Sequence, residues 1–289
     1  MGDVRKRIRR QLEQHPDVRR SLFGIATLLE TLLYGGTRRE ALLVRLLGAL
    51  HRSQFRREWH LSLKTPHFYN QRWNGFEFTY GRSRSPYGFF RGFLASEVIR
   101  DGDCLLDIGC GDSFFSNSFF SEKCRHIDAI DVDAFAIETA RRLNSSPKIR
   151  FHILDAVRNS FPSECYDVIV WDGAIGHFSQ SDTFRVLEKI CRSLSPSGIF
   201  VGSESLGMEG SDHLQYFESE SALAAVLKPY FEHVLIRTAE YRIGEGYARR
   251  EAYWRCFNRS SCRHESTTWV DFAESRAAAH GSSGCAQLE

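Results

Sequence analysis

One run in the chain constrains its fold more than any other: Leu105-Leu106-Asp107-Ile108-Gly109-Cys110-Gly111-Asp112. Apolar residues of a short strand lead straight into two glycines spaced by one residue, and the spacing then predicts a helix over Phe114–Phe120. In an open parallel sheet, ligands bind beyond the carboxyl ends of the strands, near the point where the strand order reverses. Glycines in such a turn let the backbone pass close to a ligand with no Cβ in the way.

The stretch around this run repeats the same rhythm. Short apolar strands are expected at Cys104–Ile108, Ile127–Ile130, Arg150–Leu154, Asp167–Trp171, Ile199–Ser203, Val234–Thr238 and Ala252–Phe257. Helical periodicity falls on Tyr87–Arg100, Ala134–Leu143, Thr183–Leu194 and Ser219–Leu227, with Pro196 and Gly198 marking a turn before the fifth strand. Strand–helix alternation means a parallel sheet covered on both faces. The last two strands follow each other with no helix between them, so one must run antiparallel. The fold class is therefore α/β: a Rossmann-like, doubly wound sheet, mostly parallel, with one antiparallel strand near the C-terminus.

An N-terminal helical extension precedes it. Leu22, Ile25, Leu28, Leu29, Leu32 and Leu33 recur at helical spacing until Gly35-Gly36. Thr37 and Glu40 form a capping box that opens a second helix, with Leu43, Leu46, Leu47 and Leu50 on one face. Residues 60–86 are aromatic and weakly periodic, with a strand-like alternation over Phe76–Tyr80. The expected organisation is a helical and aromatic-loop extension over 1–85, a ligand-binding domain over 86–258, and a polar, flexible tail over 259–289.

Charge is unevenly spread. Residues 1–60 hold thirteen Lys/Arg against six Asp/Glu, a net of +7 in a chain whose total is +2. Such a segment suits peripheral contact with an anionic surface or an acidic partner, and a solvated helix face is the alternative reading. Nucleic acid is not the expected partner, because no recognisable RNA-binding module accompanies the charge. The apolar stretch Ser21–Leu50 is interrupted by Glu30, Arg38, Arg39, Glu40 and Arg45, so it holds no spanning run. Eight cysteines show no two-residue gap of the kind zinc sites and redox motifs use, which points to a reducing compartment and to no metal site. The start MGDVRKRIRR lacks an apolar signal core. Cytoplasm is the expected location.

Two nucleotide cofactors compete for the glycine turn. A dinucleotide site wants a third glycine where Phe114 stands, and it faces a pyrophosphate that Asp107 and Asp112 would repel. Acids in those positions suit a ligand with a cationic amino group instead. The run resembles the first motif of the class I S-adenosylmethionine-dependent methyltransferases. The resemblance continues in order. Asp131 ends the second strand 20 residues past Gly111, where the family places an acid on the ribose hydroxyls. Asp155-Ala156 ends the third strand, at the adenine. Asp172 ends the fourth and leads into Gly173-Ala174-Ile175-Gly176-His177. The resemblance, which covers roughly residues 86–257, implies S-adenosylmethionine as cofactor, lined by Asp107, Gly109, Cys110, Gly111, Asp131, Val132, Asp155, Ala156 and Asp172. Asp133 is read differently, as the N-cap of the helix Ala134–Leu143. An arginine ahead of the first motif, Arg82 or Arg84, is a further candidate for the cofactor's carboxylate. Where many members carry one more glycine, Ser113 and Phe114 stand, which tightens the turn.

The resemblance is closest to ubiquinone-type O-methyltransferases and those that decorate bacterial glycans. No Asn-Pro-Pro-Tyr-type motif follows the fourth strand, which argues against methylation of base or glutamine amino groups. A hydroxyl acceptor must lose a proton, and histidine is suited to taking it. His177 is the first candidate for the base and His213 the second. The expected function is methyl transfer to a hydroxyl of a small molecule or glycan. The alternatives are an RNA or protein methyltransferase using the basic N-terminus, a non-catalytic cofactor-binding scaffold, and an NAD-dependent oxidoreductase, which Phe114 disfavours.

Overall fold

A computed structural model describes residues 87–207, 213–242 and 248–258, together with Leu42, Leu46, Ala49 and Leu50, which are helical. The chain divides into two compact units, Met1–Thr65 and Pro66–Glu289. The expected capping box at Thr37, the strand-like Phe76–Tyr80, Arg82, Arg84 and the tail beyond 258 lie outside the described residues.

In the larger unit the elements run α1 (Tyr87–Ser96), β1 (Cys104–Ile108), a π-helical turn (Ser116–Phe120), β2 (His126–Asp131), α2 (Ala134–Leu143), β3 (Ile149–Ile153) and β4 (Tyr166–Asp172). A 3₁₀ turn (Ile175–His177), α3 (Gln180–Ser193), β5 (Leu194–Leu206), α4 (Glu220–Leu227), β6 (His233–Arg242) and β7 (Ala248–Phe257) follow. The seven strands form one sheet in the order β3-β2-β1-β4-β5-β7-β6. Strands β1 to β5 pair in parallel, and β7 runs antiparallel to both β5 and β6. The expected architecture is the observed one, down to the single reversed strand.

Alternation along the strands divides the core between two faces. Leu106, Ile108, Ile169 and Trp171 point to the side covered by α3 and α4, where Val186, Leu187, Ile190, Leu223 and Leu227 meet them. Leu105, Ile127, Ala129, Val168 and Val170 point to the other side, against Ala95 of α1, Val98, Ile99 and Phe120.

Several boundaries differ from those expected. α1 stops at Ser96 rather than Arg100. α3 begins at Gln180, not Thr183, because Ser179 caps it: its Oγ accepts from Asp182 N and donates to the Asp182 carboxylate. β5 begins at Leu194, so Pro196 and Gly198 lie inside the strand. Tyr166 pairs with Leu194 and Val168 with Ile199, an irregular register that absorbs residues 195–198 as a bulge. Phe114–Phe120 is not a plain α-helix. A first α-helical turn widens into the π-helical turn over Ser116–Phe120.

The strand order reverses between β1, which continues to β2 and β3, and β4, which continues to β5. The carboxyl ends of these two strands are Ile108 and Asp172, and the candidate site residues lie at these ends and just beyond those of β2, β3 and β5.

Candidate functional site

The turn after β1 is fixed by the strand beside it. Gly109 N and Cys110 N both donate to Ile130 O of β2, at 2.9 and 3.1 Å. Gly109 takes φ +68°, and a Cβ there would lie 3.0 Å from the Ala174 Cβ. The second glycine is held by the next strand: Gly111 N donates to Asp131 Oδ2 at 2.9 Å, while Asp131 Oδ1 accepts from Asp133 N at 2.8 Å. One carboxylate thus ties the glycine turn to the end of β2. Asp133 caps α2 through Phe135 N, as expected.

Ser113 adopts φ +56°, a conformation that normally selects glycine, and it is fully buried. Its Oγ has no hydrogen-bond partner. Asp112, also fully buried, accepts from Phe114 N at 3.2 Å, and Asn144 of the α2 C-cap donates to Asp112 O at 2.7 Å.

Three of the expected acids, Asp107, Asp131 and Asp172, lie close enough for their charges to act on one another. Asp107 is buried at the end of β1 and accepts from the Ser116 hydroxyl of the π-helical turn. Burial pushes its carboxyl up to about 7, with the charges of Asp172 and Asp131 adding to the rise and Ser116 opposing it. Asp172 is pushed up to about 6, again chiefly by burial, with the Arg91 guanidinium and the Ser203 hydroxyl holding it down. Asp172 Oδ2 is buried and has no hydrogen-bond partner. The Cys110 thiol is raised well above its ordinary value by burial and by the Asp107, Asp131 and Asp112 carboxylates, so it is no nucleophile. The remaining cofactor candidates follow the ends of β2 and β3. Val132 and Ile153 are 66% and 56% exposed at the ends of β2 and β3, an open apolar surface. Asp155 Oδ1 accepts from Val157 N at 2.8 Å and Arg158 N at 3.2 Å, and Ala156 is buried.

Arg91 had no sequence signal beyond being one arginine in an amphipathic helix. It reaches from α1 across the end of β4, where a Cβ on Gly173 would lie 1.9 Å from its Nη1. Gly173 has φ +63°, where any side chain would be strained and would displace the guanidinium. The Arg91 guanidinium donates to Glu251 Oε1 of β7 at 3.0 and 2.6 Å. Glu251, wholly buried, also accepts from Ser203 Oγ at 3.2 Å and Arg249 Nε at 2.8 Å, and Ser203 donates to Asp172 as well. A chain of buried polar groups therefore runs from α1 through β7 and β5 to the end of β4.

His177 and His213, 36 residues apart in sequence, meet edge to face with ring centroids 4.6 Å apart. Gly176 is the hinge of this arrangement. Its carbonyl accepts from Leu214 N at 2.8 Å and Gln215 N at 3.2 Å, strapping the segment after β5 onto the 3₁₀ turn. Gln215 Nε2 reinforces the strap through Ile175 O at 3.0 Å and Thr183 Oγ1 at 2.6 Å. From below, the buried Glu204 carboxylate accepts from Gly176 N at 2.9 Å. Tyr216 continues the ring series, 5.8 Å from His213, and with Leu214 it is exposed. The structure brings both candidate bases to one place at the carboxyl end of β4, and adds Glu204, which lies one residue past the strand expected over Ile199–Ser203 and inside the observed β5. Among the described residues no group of three or more His, Cys, Asp or Glu side chains is arranged to hold a metal ion.

Comparison with known proteins points the same way. Residues 105–198 match the model of a family described as a methyltransferase domain. The chain is 30% identical over 115 residues to the eEF1A lysine and N-terminal methyltransferase homolog of Drosophila melanogaster, covering 37% of this chain and 17% of that one. It is 32% identical over 107 residues to an uncharacterised methyltransferase of Schizosaccharomyces pombe, covering 36% and 40%. The chain thus spans less than half the length of these relatives. Among solved structures, the [4+2]-cyclase SpnF shares the fold, with a TM-score of 0.50 and 17% identity over 58% of this chain and 80% of that one.

Proposed function

We propose, from the match of residues 105–198 to a methyltransferase-domain family, that this is a class I S-adenosylmethionine-dependent methyltransferase that methylates a hydroxyl of a small molecule or glycan, with His177 as the base. When bound, the cofactor supplies a methyl group already activated on a sulfonium. The residues present fit it. Gly109, at φ +68°, keeps the turn after β1 free of a Cβ, Asp131 offers a carboxylate to a diol, and the buried Asp172 Oδ2 has no donor within the protein. Asp107 and Asp172, both reluctant to ionise alone, suit a ligand that brings positive charge. Arg91 is the cation placed for a carboxylate at the same end. Val132, Asp155 and Ala156 would hold the adenine side.

The observation that carries the reading is the meeting of His177 and His213 at the end of β4. A group whose proton must leave during transfer needs an acceptor held in place. Here the imidazole of His177 sits on a short turn fixed by Glu204 below and by the 214–215 strap at the side. His213 supports that ring by contact.

A second reading is methylation of an amino group on a protein, which the name of the Drosophila relative favours. Both acceptors give up a proton, so the base is common to them. Incubation with methyl-labelled cofactor and separate small-molecule, glycan and protein pools tests the choice. Label in the first two supports the proposal, and label confined to protein supports the second reading. With the labelled pool in hand, His177→Ala should lower turnover by roughly 10²–10⁴ with cofactor affinity nearly unchanged in calorimetry. Full activity in that variant would remove His177 from the chemistry.

A further inference from the structure

Lys189 of α3 takes no part in the proposed transfer, yet it commits all of its donors to one turn. Its Nζ donates to Ala156 O at 2.9 Å, Val157 O at 2.7 Å and Asn159 O at 2.8 Å. An ammonium has three N–H groups, and here each meets a backbone carbonyl. The turn is the one that follows β3 and begins with Asp155. Its approach is tied to β2, since Leu154 N donates to Asp131 O at 2.9 Å. Its ends are tied to each other: Asn159 N donates to Asp155 O at 3.0 Å, and Asp155 N donates to Asn159 Oδ1 at 3.2 Å.

Two opposite charges grip the same peptide units. The unit joining Ala156 to Val157 has its carbonyl on Lys189 and its N–H on Asp155 Oδ1, and so does the unit joining Val157 to Arg158. Each peptide dipole therefore lies between an anion at its N–H pole and a cation at its carbonyl pole, the favourable sense at both ends. Lys189 is half-buried; burial draws its titration down, and the Asp155 carboxylate opposes that fall. The same bonds orient the acid. Oδ1 of Asp155 is held by two amides, while Oδ2 faces only the Arg158 guanidinium as an ion-pair partner, at 3.5 Å and 87% exposed, a weak competitor for a ligand. We propose that Lys189 is the positioning residue of the adenine subsite: it pins three carbonyls and so fixes the turn that presents the Asp155 carboxylate to the base. This role rests on the cofactor reading above. A neutral side chain at 189 would release the carbonyls, let the Val157 and Arg158 amides turn, and turn the carboxylate with them.

The test is calorimetry on the full chain with S-adenosylhomocysteine and with S-inosylhomocysteine, which carries an oxo group in place of the exocyclic amine. The wild type should prefer the adenosyl ligand by about tenfold or more, because the amine donates to Asp155 and an oxo group cannot. Lys189→Met keeps the apolar stem and removes the ammonium; it should reduce that preference about fivefold through weaker adenosyl binding, with inosyl affinity held. Lys189→Arg keeps the charge and serves if the methionine variant does not fold. A guanidinium spreads its donors over a plane and cannot bring three N–H groups from one nitrogen onto the three carbonyls, so the preference should fall about threefold. A staple that served stability alone would lower Tm and leave the preference where it was, and that result in either folded variant overturns the proposal. Equal wild-type affinity for the two ligands overturns it too, with the cofactor reading intact. A wild type that binds neither ligand overturns the cofactor reading itself and this role with it.

Discussion

Ser113→Gly should make this protein more stable, an unusual direction for a substitution in the core. Two costs are stored at Ser113. A non-glycine residue in the left-handed region is disfavoured by about 1–2 kcal/mol, and Ser113 holds φ +56°. A buried hydroxyl without a partner costs about 1–3 kcal/mol, and the Ser113 Oγ has none. Glycine removes both. Against this stand the larger entropy of glycine in the unfolded chain, about 0.5–1 kcal/mol, and the lost contacts of two side-chain atoms. The net gain comes to about 1–2 kcal/mol. For a domain of this size that is a rise in Tm of about 2–6 °C, read by calorimetry or by the urea midpoint. Ser113→Ala separates the contributions, since it removes the hydroxyl and keeps the backbone strain; its gain should be smaller. Ser113→Val should destabilise, because a β-branched residue tolerates that φ worst. A lower Tm for both Ser113→Gly and Ser113→Ala would refute the reasoning and show that the hydroxyl has a partner worth more than its strain.

Three further outcomes follow from the buried charges. Asp107 titrates near 7 and Asp172 near 6 when folded, against 3.8 ordinarily, so both carboxyls are neutral in mildly acidic solution. Folded values raised in this way mean that the apoprotein is favoured at low pH and loses that stability as pH climbs from about 4 to about 7, because the unfolded chain ionises first. Cofactor binding should show the opposite trend, weakening as pH falls below about 6, with proton release detectable when calorimetry is repeated in buffers of different ionisation enthalpy; affinity flat from pH 5 to 8 would contradict it. Glu251→Ala should destabilise by about 3–5 kcal/mol, since it removes the buried carboxylate on which Arg91, Arg249 and Ser203 converge, and an unchanged denaturant midpoint would mean the network is dispensable.

The sequence was most informative where local pattern and tertiary demand agree. β1 at Cys104–Ile108 and the helix Ala134–Leu143 stand where periodicity put them, since their apolar positions are the ones that face the core. The reversed strand was legible from the absence of a helix between the last two apolar runs. The start of β5 was not, because Pro196 and Gly198 carry turn chemistry wherever they occur, and only pairing with Tyr166 makes them part of a strand. The site divides along the same line. Asp107, Gly109, Gly111, Asp131 and Asp172 follow strands in order and could be read one by one. Arg91 could not, because its partner Glu251 is 160 residues away and nothing near either residue marks the pair. His177 and His213 were each visible, but their contact depends on the strap from Gly176 O to residues 214 and 215, which is backbone hydrogen bonding and leaves no trace in composition.

The position of β7 dictates the order in which this domain can be completed. It is the last of the seven strands to be synthesised, yet it lies inside the sheet, between β5 and β6. While the ribosome is still short of residue 248, β6 has no neighbour to pair with, the outer edge of β5 presents unpaired backbone groups, and Arg91 waits beside Asp172 without Glu251. The half of the sheet that carries the glycine turn can form early, from β3 to β5. The carboxyl end of β4 takes its final electrostatic form only when the strand bearing Glu251 and Arg255 slides in and clasps α1, through Arg91 and Glu97, from the far side of the chain. A nascent chain arrested before that point would expose a β-edge, which is where association with other unfinished chains begins.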